Sequence, residues 1–165
     1  MVKMNALLEK PALSGEDIAR RSMETPAQKT VDKMQAAMKR LPQVDCPLVH
    51  RFTPGLYVRE IHVPAGTLVI SKIFKAEFPF IISQGKVSIW VEGVGVKRLE
   101  APYCGITKAG MRRIIYHHTD VVLTTLHPTN LTDVKQIEDE VIYNPDKDMP
   151  VEISAETMKL LKEDV

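Results

Sequence analysis

The sequence predicts a mainly β protein whose strands form a sandwich or barrel, with helices at both ends of the chain. Two observations predict this fold class. Between residues 44 and 129, short runs rich in β-branched and aromatic residues alternate with turn residues at fairly even intervals. No helical pattern interrupts these runs, which argues against a parallel sheet with crossover helices. We therefore divide the chain into an N-terminal arm and helix (1–42), a β-barrel (43–130) and a C-terminal extension with a helix (131–165).

The composition favours one ordinary globular domain. The chain has 165 residues, 44% of them hydrophobic and 26% charged, and a net charge of +1. Such a chain buries a sizeable core, and its charge gives no reason to expect a membrane or a long nucleic acid as partner. No secretory signal opens it, and no apolar run approaches the ~18 residues of a membrane span. We expect a cytoplasmic protein with Cys46 and Cys104 reduced.

Helical signals lie before the strands. Ser14 and Asp17 are suited to cap a short helix. A second helix begins at Thr25, where Thr25-Pro26-Ala27-Gln28 forms a capping box with proline at the first helical position. Pro42 ends this helix. Its apolar stripe, which we expect to pack on the sheet or on a second subunit, is Val31, Met34, Met38 and Leu41.

Nine β-rich runs follow, separated by turn signals such as Pro54-Gly55, Gln84-Gly85 and Ala109-Gly110. The runs are VDCPLVHRF, LYVREIHV, TLVISKIF, FPFIIS, KVSIWV, VKRLEA, YCGITK, RRIIYHH and DVVLTTLH. Residues 130–153 show turn chemistry around the run EVIYN. A last helix is predicted from Ser154 onward, with Met158, Leu160 and Leu161 as its apolar residues.

The stretch Gly66 to Gly85 is predicted to form a strand, a short turn and a second strand, with glycine at both ends. Its length resembles the first motif of the cupin family, which is Gly, five residues, His, one residue, His, three or four residues, Glu, six residues and Gly. Aligned from Gly66, the frame ends on Gly85. The resemblance places the three metal-ligand positions on Lys72, Phe74 and Phe78. It implies a double-stranded β-helix, or jelly-roll barrel, that has lost its metal chemistry.

A second stretch, ITKAGMRRIIYH, aligns with the second cupin motif on Gly110. The motif's remaining positions, which are glycine, proline, histidine and asparagine in the family, are here Pro102, Lys108, Arg113 and His117. One signature position of five is kept. Sixteen residues separate Gly85 from Pro102, close to the short inter-motif segment of compact cupins. The spacing therefore supports the cupin resemblance more than either motif does.

The barrel region also resembles small cupin-like proteins of tailed phages, over roughly residues 43–130. The stretches RFTPGLYVREIHVPAGTLVISKI and APYCGITKAGMRRIIY carry this resemblance. Some proteins of that type have histidines near the positions of Phe74 and Phe78, and this chain departs from them. The phage resemblance implies a protein that sequesters a host signalling nucleotide, of the cyclic dinucleotide type, in the host cytoplasm and so evades antiviral defence.

Strand alternation predicts which side chains face the barrel interior. Leu68, Ile70, Lys72 and Phe74 share one face of a strand, as do Arg113, Ile115 and His117 on a later one. The predicted ligand-binding residues at the barrel mouth are Lys72, Phe74, Phe78, Arg113 and His117, with Trp90 and Tyr116 at its edge. A pocket between subunits would instead involve Arg112, Lys97, Arg98 and the N-terminal helix. We expect self-association into a homo-oligomer.

The two cations predicted to face the cavity, Lys72 and Arg113, need a partner because burial of an unpaired charge is costly. The partner is either an internal carboxylate, with Glu60, Glu77 and Glu100 as candidates, or an anionic ligand such as a phosphate. Residues 66–118 carry eight Lys and Arg against three Glu, about +5, whereas residues 132–165 are about −6. A basic centre attracts anions, unless its lysines are simply solvated. Phe74 and Phe78 either stack on a planar ligand or pack in the core.

Catalysis has no convincing residue set. The five histidines show no metal-ligand spacing, and we predict no metal and no cofactor. A metal-free sugar epimerase using Tyr116 and His117 as acid and base is one alternative, and a metal-dependent cupin with relocated ligands is another. A structural oligomerisation protein with a filled barrel is the third. The sequence favours a non-catalytic protein that binds a small anionic or nucleotide-like ligand.

Overall fold

The computed structural model describes residues 12–144, which form three helices and nine strands. The helices are α1 (Gly15–Met23), α2 (Pro26–Met38) and α3 (Val134–Val141). The strands are β1 (Leu48–Thr53), β2 (Leu56–Val63), β3 (Leu68–Ile70), β4 (Phe78–Gln84), β5 (Lys86–Val91), β6 (Gly95–Glu100), β7 (Tyr103–Thr107), β8 (Arg113–His117) and β9 (Val121–Pro128). Each of the nine predicted β-rich runs overlaps one strand, so the mainly β prediction is confirmed.

The strands form two antiparallel sheets that face each other. One sheet has the order β1-β2-β9-β4-β7 and the other the order β3-β8-β5-β6. Alternate residues of each strand point between the sheets, which β9 shows most clearly, because every second side chain from Val121 to His127 is buried. The core between the sheets consists of Phe80, Ile82, Val87, Ile89, Ile115, Val121 and Leu123.

The two N-terminal helices begin where the sequence predicts. Ser14 accepts a hydrogen bond from the Asp17 backbone N–H, and Thr25 accepts one from that of Gln28. The capping box is only half formed, because the Gln28 side chain donates to Glu92 on the barrel instead of turning back to Thr25. Helix α2 also ends at Met38, before the predicted Leu41, which is 62% exposed.

The segment Gly66 to Gly85 differs from the predicted pair of strands joined by a short turn. Only Leu68–Ile70 forms a strand at its start, and β3 and β4 belong to different sheets. Residues 71–77 cross from one sheet to the other, and two of their carbonyls pair with groups outside the sheets. The Ile73 carbonyl accepts from the Tyr143 N–H at 2.8 Å, and the Phe74 carbonyl from the Gly110 N–H at 2.8 Å.

Helix α3 was not predicted. Asp133 caps it by accepting from the Gln136 N–H, and Ile137 is fully buried. The run EVIYN begins inside α3, which ends at Val141, and Ile142 then forms one isolated bridge with Phe74. The helix predicted from Ser154 lies outside the described residues. No helix in the described part of the chain is long and apolar enough to cross a bilayer.

Candidate ligand-binding site

A cavity of about 250 Å³ lies between the two sheets, at the end of the barrel that α3 and residues 71–78 cover. Most of its wall is apolar. The structure brings five of the predicted site residues together around it: Lys72, Phe74, Phe78, Arg113 and His117. Arg113 and His117 reach it because they alternate with outward residues along β8, where both are buried.

An aromatic layer lines the outer part of the cavity. We define it as Tyr57, Phe74, Phe78 and His127. The His127 ring centre lies 4.3 Å from that of Phe78, 5.6 Å from that of Phe74 and 5.8 Å from that of Tyr57. Phe74 and Phe78 meet edge to face at 4.5 Å. The strands create this layer, because Tyr57 on β2 pairs with His127 on β9 and Phe78 lies on the next strand, β4.

A cationic layer lies one inward-facing position further along the same strands. Arg59 on β2 pairs with Thr125 on β9, which pairs with Phe80 on β4. Arg113 reaches this layer from the opposite sheet and places its guanidinium carbon 4.5 Å from the centre of the Phe80 ring. We define the cationic layer as Arg59 and Arg113.

Neither arginine has a carboxylate partner within 4 Å among residues 12–144. Arg113 is only 8% exposed. Burial lowers the pKa of its guanidinium, and the neighbouring Tyr103 hydroxyl partly offsets this effect. Arginine nevertheless keeps its proton at neutral pH. The cavity therefore carries a buried positive charge that forms no ion pair within 4 Å with a described acidic side chain.

Thr107 adds an unpaired polar group to the same wall. It pairs with Phe78 across β4 and β7 and is 2% exposed. Its hydroxyl has no hydrogen-bond partner in the described part of the chain. A buried hydroxyl without a partner costs stability, so it is a candidate for contact with a ligand.

The two cavity histidines are held as neutral rings. His117 Nδ1 donates to the Thr67 carbonyl at 2.9 Å, which leaves Nε2 as a hydrogen-bond acceptor. Burial lowers the pKa of His117. His127 Nε2 donates to Thr125 Oγ1 at 3.0 Å, since the Thr125 hydroxyl itself donates to the Arg59 carbonyl. Burial and the positive charge of Arg59 lower the pKa of His127 to about 4.

Lys72 lies at the mouth of the cavity instead of inside it. Its side chain is 55% exposed and contacts Glu138 of α3 at 3.5 Å. None of the three carboxylates that the sequence offered as its partner takes that role. Glu60 pairs with Arg51 and His62, Glu77 with Lys108, and Glu100 with Lys86. The partner is Glu138 because α3 packs across the mouth, where the Lys75 N–H donates to the Val141 carbonyl.

The other three predicted site residues lie away from the cavity. Trp90 is half-buried and alternates with the inward residues Ile89 and Val91, so it faces outward. Tyr116 is 42% exposed on the outer face of β8, where it contacts His118. Arg112 is buried under α2, with one guanidinium nitrogen 2.6 Å from Asp32 and another bonded to Gln35. It anchors the N-terminal helices to the barrel.

Sequence reasoning missed several polar and aromatic residues of the cavity wall: Tyr57, Arg59, Ser71, Thr107, Thr125, His127 and Glu138. Five of them, all but Ser71 and Glu138, lie on strands whose runs were identified. Applying alternation to LYVREIHV and DVVLTTLH would have placed Tyr57 with Arg59, and Thr125 with His127, on inward faces. Glu138 had no such signal, because its helix was not predicted.

The residues do not fit the metal that the cupin resemblance implies. The first-motif ligand positions carry the ammonium of Lys72 and the phenyl rings of Phe74 and Phe78, none of which donates a lone pair to a metal at neutral pH. Among residues 12–144, no three His, Cys, Asp or Glu side chains cluster closely enough to hold a metal ion. Cys46 and Cys104 are free thiols.

The architecture matches solved structures. Ectoine synthase from P. lautus superposes with a TM-score of 0.50 at 10% identity, over 70% of this chain and 87% of that one. The chain has the cupin fold. A cupin-2 domain protein from Shewanella frigidimarina covers 62% of this chain and 98% of its own, with 12% identity and a TM-score of 0.42. For the Schizosaccharomyces pombe Cnp3 cupin domain the coverages are 62% and 76%, the identity 19% and the TM-score 0.44.

No protein-family model and no curated protein matches the sequence. At 10% identity, the likeness to ectoine synthase concerns the fold alone. A fold of this kind hosts many functions, so the residues of its own cavity determine what this chain does.

Proposed function

We propose that this protein binds a small organic anion in the cavity between its sheets and releases it unchanged. The observation that carries the proposal is Arg113, a buried guanidinium with no carboxylate partner among the described residues. The Phe80 ring offsets part of the cost of burying this charge. An acid group on a ligand would offset the rest through charge-assisted hydrogen bonds.

The second cation of the cavity supports an anionic ligand as well. Arg59 lines the same cavity and has no ion-pair partner in the range 12–144. Two arginines facing one apolar space repel each other until an anion lies between them. A bidentate guanidinium also fixes the orientation of a carboxylate or phosphate, which a lysine does not do.

Lys72 has a different role in this proposal. Because it is exposed at the mouth and already contacts Glu138, it attracts the anion toward the cavity without holding it inside. Rim charges of this kind affect the association rate and its salt dependence more than the affinity.

The positions of the polar side chains favour binding over turnover. The acid–base pair required by an epimerase, Tyr116 and His117, is divided between the outer and inner faces of β8. His117 and His127 each use one ring nitrogen to fix a neighbouring polar group. The phage resemblance implies one candidate for this anion, a host signalling nucleotide withheld from a defence receptor, and it also implies that the protein self-associates.

The proposal is tested by isothermal titration and thermal shift of the full chain against orthophosphate, small aromatic carboxylates, AMP and a cyclic dinucleotide. We expect at least one anion to bind, and Arg113→Met to abolish its binding. Arg98→Met, an exposed arginine on β6, is the matched control and should bind like the wild type. If no anion binds, or if Arg113→Met binds equally well, the proposal is wrong.

Chromatography of the bound compound then separates storage from catalysis. After prolonged incubation with the protein, we expect the ligand to be recovered intact in stoichiometric amount. A product that accumulates beyond the amount of protein would show an enzyme and would contradict release of the ligand unchanged.

A further inference from the structure

The two layers of the cavity wall are arranged in a fixed order along three neighbouring strands. Tyr57, His127 and Phe78 form one row on β2, β9 and β4, and Arg59, Thr125 and Phe80 form the next row. Successive inward positions of a strand are about 7 Å apart. The aromatic layer lies at the end of the cavity where Lys72 borders the mouth. A ligand that enters past Lys72 therefore meets the rings first and the arginines deeper.

From this order we infer the chemical class of the ligand, as a refinement that rests on the proposed function. We propose that it is a single planar ring joined by a short linker to one acid group, a carboxylate or a phosphate. The acid group enters first and lies between Arg59 and Arg113. The ring lies in the aromatic layer, against Phe74, Phe78 and His127.

The size of the cavity limits the ligand to one ring. Its volume of about 250 Å³ is below the ~300 Å³ at which pockets for drug-sized ligands begin. Two nucleobases and the sugar–phosphate ring of a cyclic dinucleotide need more space than this. The largely apolar wall also offers few partners for the hydroxyls of a sugar.

The unpaired hydroxyl of Thr107 favours a ligand ring that carries a polar substituent. Thr107 pairs with Phe78, so it lies beside the aromatic layer and not beside the arginines. A ring held against Phe78 presents its edge to this hydroxyl. We therefore expect the preferred ring to carry a hydroxyl, a carbonyl or a ring nitrogen at the end opposite the acid group.

The experiment uses isothermal titration of the full chain with five ligands: 4-hydroxyphenylacetate, phenylacetate, phenyl phosphate, cyclohexylacetate and AMP. We expect 4-hydroxyphenylacetate or phenyl phosphate to bind best, and cyclohexylacetate to bind about tenfold more weakly than phenylacetate because it lacks a ring that stacks. Phe78→Leu should weaken the aromatic ligands about tenfold and leave binding of inorganic phosphate unchanged.

Two variants locate the acid group and the edge of the ring. Thr107→Val should remove the preference for 4-hydroxyphenylacetate over phenylacetate, and Arg59→Met should weaken all acids alike. Circular dichroism first establishes that each variant is folded. If Phe78→Leu does not fold, Phe74→Leu tests the same aromatic layer.

The outcomes separate this inference from the function on which it rests. If AMP or a cyclic dinucleotide binds in an Arg113-dependent manner and the monocyclic acids do not, the single-ring class is wrong while anion binding stands. Equal affinity for phenylacetate and cyclohexylacetate would likewise contradict the aromatic layer as a ring site. If no acid binds, both the proposed anion binding and the single-ring ligand class are wrong.

Discussion

The guanidinium carbon of Arg113 lies 4.5 Å from the centre of the Phe80 ring, in the interior of the barrel. Phe80 belongs to the hydrophobic core and Arg113 to the cavity wall, so this contact joins the two. It gives the arginine a fixed position without neutralising it, because a ring face attracts a cation and leaves its charge in place. Under the proposed function, this contact holds Arg113 in place for an anion, at a cost in stability.

The first prediction concerns that cost. Arg113→Met removes a buried charge and fills the same space with an apolar chain, as in cores where buried ion pairs were replaced by hydrophobic residues. We expect the free energy of unfolding without ligand to stay unchanged or to rise, by up to about 2 kcal/mol. Urea unfolding measures this difference. A loss of more than about 2 kcal/mol would show instead that Arg113 stabilises the fold.

The second prediction compares two threonines on the cavity wall. The Thr107 hydroxyl has no partner among the described residues, whereas the Thr125 hydroxyl bonds to His127 and to the Arg59 carbonyl. Thr107→Val should stabilise the ligand-free protein by about 1 kcal/mol, and Thr125→Val should destabilise it by about 1–3 kcal/mol. Thermal unfolding of the two variants side by side gives the sign. If Thr107→Val also destabilises the protein, the Thr107 hydroxyl has a partner.

The third prediction is a loss of stability in mild acid. The pKa of His127 falls from 6.5 in an unfolded chain to about 4 in the folded one. At a pH between these two values, the unfolded state therefore binds a proton that the folded state does not bind. The stabilisation from a neutral His127 is complete above pH 6.5 and is lost as the pH falls toward 4. The difference amounts to about 3 kcal/mol.

Urea unfolding at several pH values between 4 and 7.5 measures this slope. His127→Phe keeps a ring in the aromatic layer and should flatten it, leaving the smaller part due to His117, whose pKa burial also lowers. Phe74→Leu disturbs the same layer without removing a titrating group and should keep the wild-type slope. An unchanged slope in His127→Phe would contradict the assignment.

The fourth prediction separates Arg112 from its neighbour Arg113. Arg112 bonds to Asp32 and Gln35 of α2 and lies outside the cavity, so its role is to hold the N-terminal helices. Arg112→Met should cost about 2–4 kcal/mol of stability and leave the affinity for anions unchanged. Arg20→Met on α1, whose ion pairs are exposed, should stay within about 0.5 kcal/mol. Loss of anion binding in a folded Arg112→Met protein would assign Arg112 to the ligand site.

The alternation of side chains along strands allowed some of the cavity-lining residues to be predicted from the sequence. Arg113, Ile115 and His117 occupy every second position of one β-run, so alternation predicts that they share an inward face. The structure shows Arg113 and His117 buried there. The same rule failed for Lys72. It assumed that the strand continues to Phe74, whereas β3 ends at Ile70 and the chain then crosses between the sheets.

The sequence by itself determined where the strands lie, because turn residues and β-rich runs act locally, within a few neighbouring residues. It also places Lys72, Phe74 and Phe78, none of which is a usual metal ligand, at the positions that the cupin resemblance aligns with the family's metal ligands. The tertiary structure alone decided which charges are neutralised. Lys72 found Glu138, 66 residues away, while Arg59 and Arg113 came to line one cavity without a described acidic partner. Such pairings depend on how sheets and helices pack. Because the paired residues are distant in the sequence, no local sequence pattern predicts them.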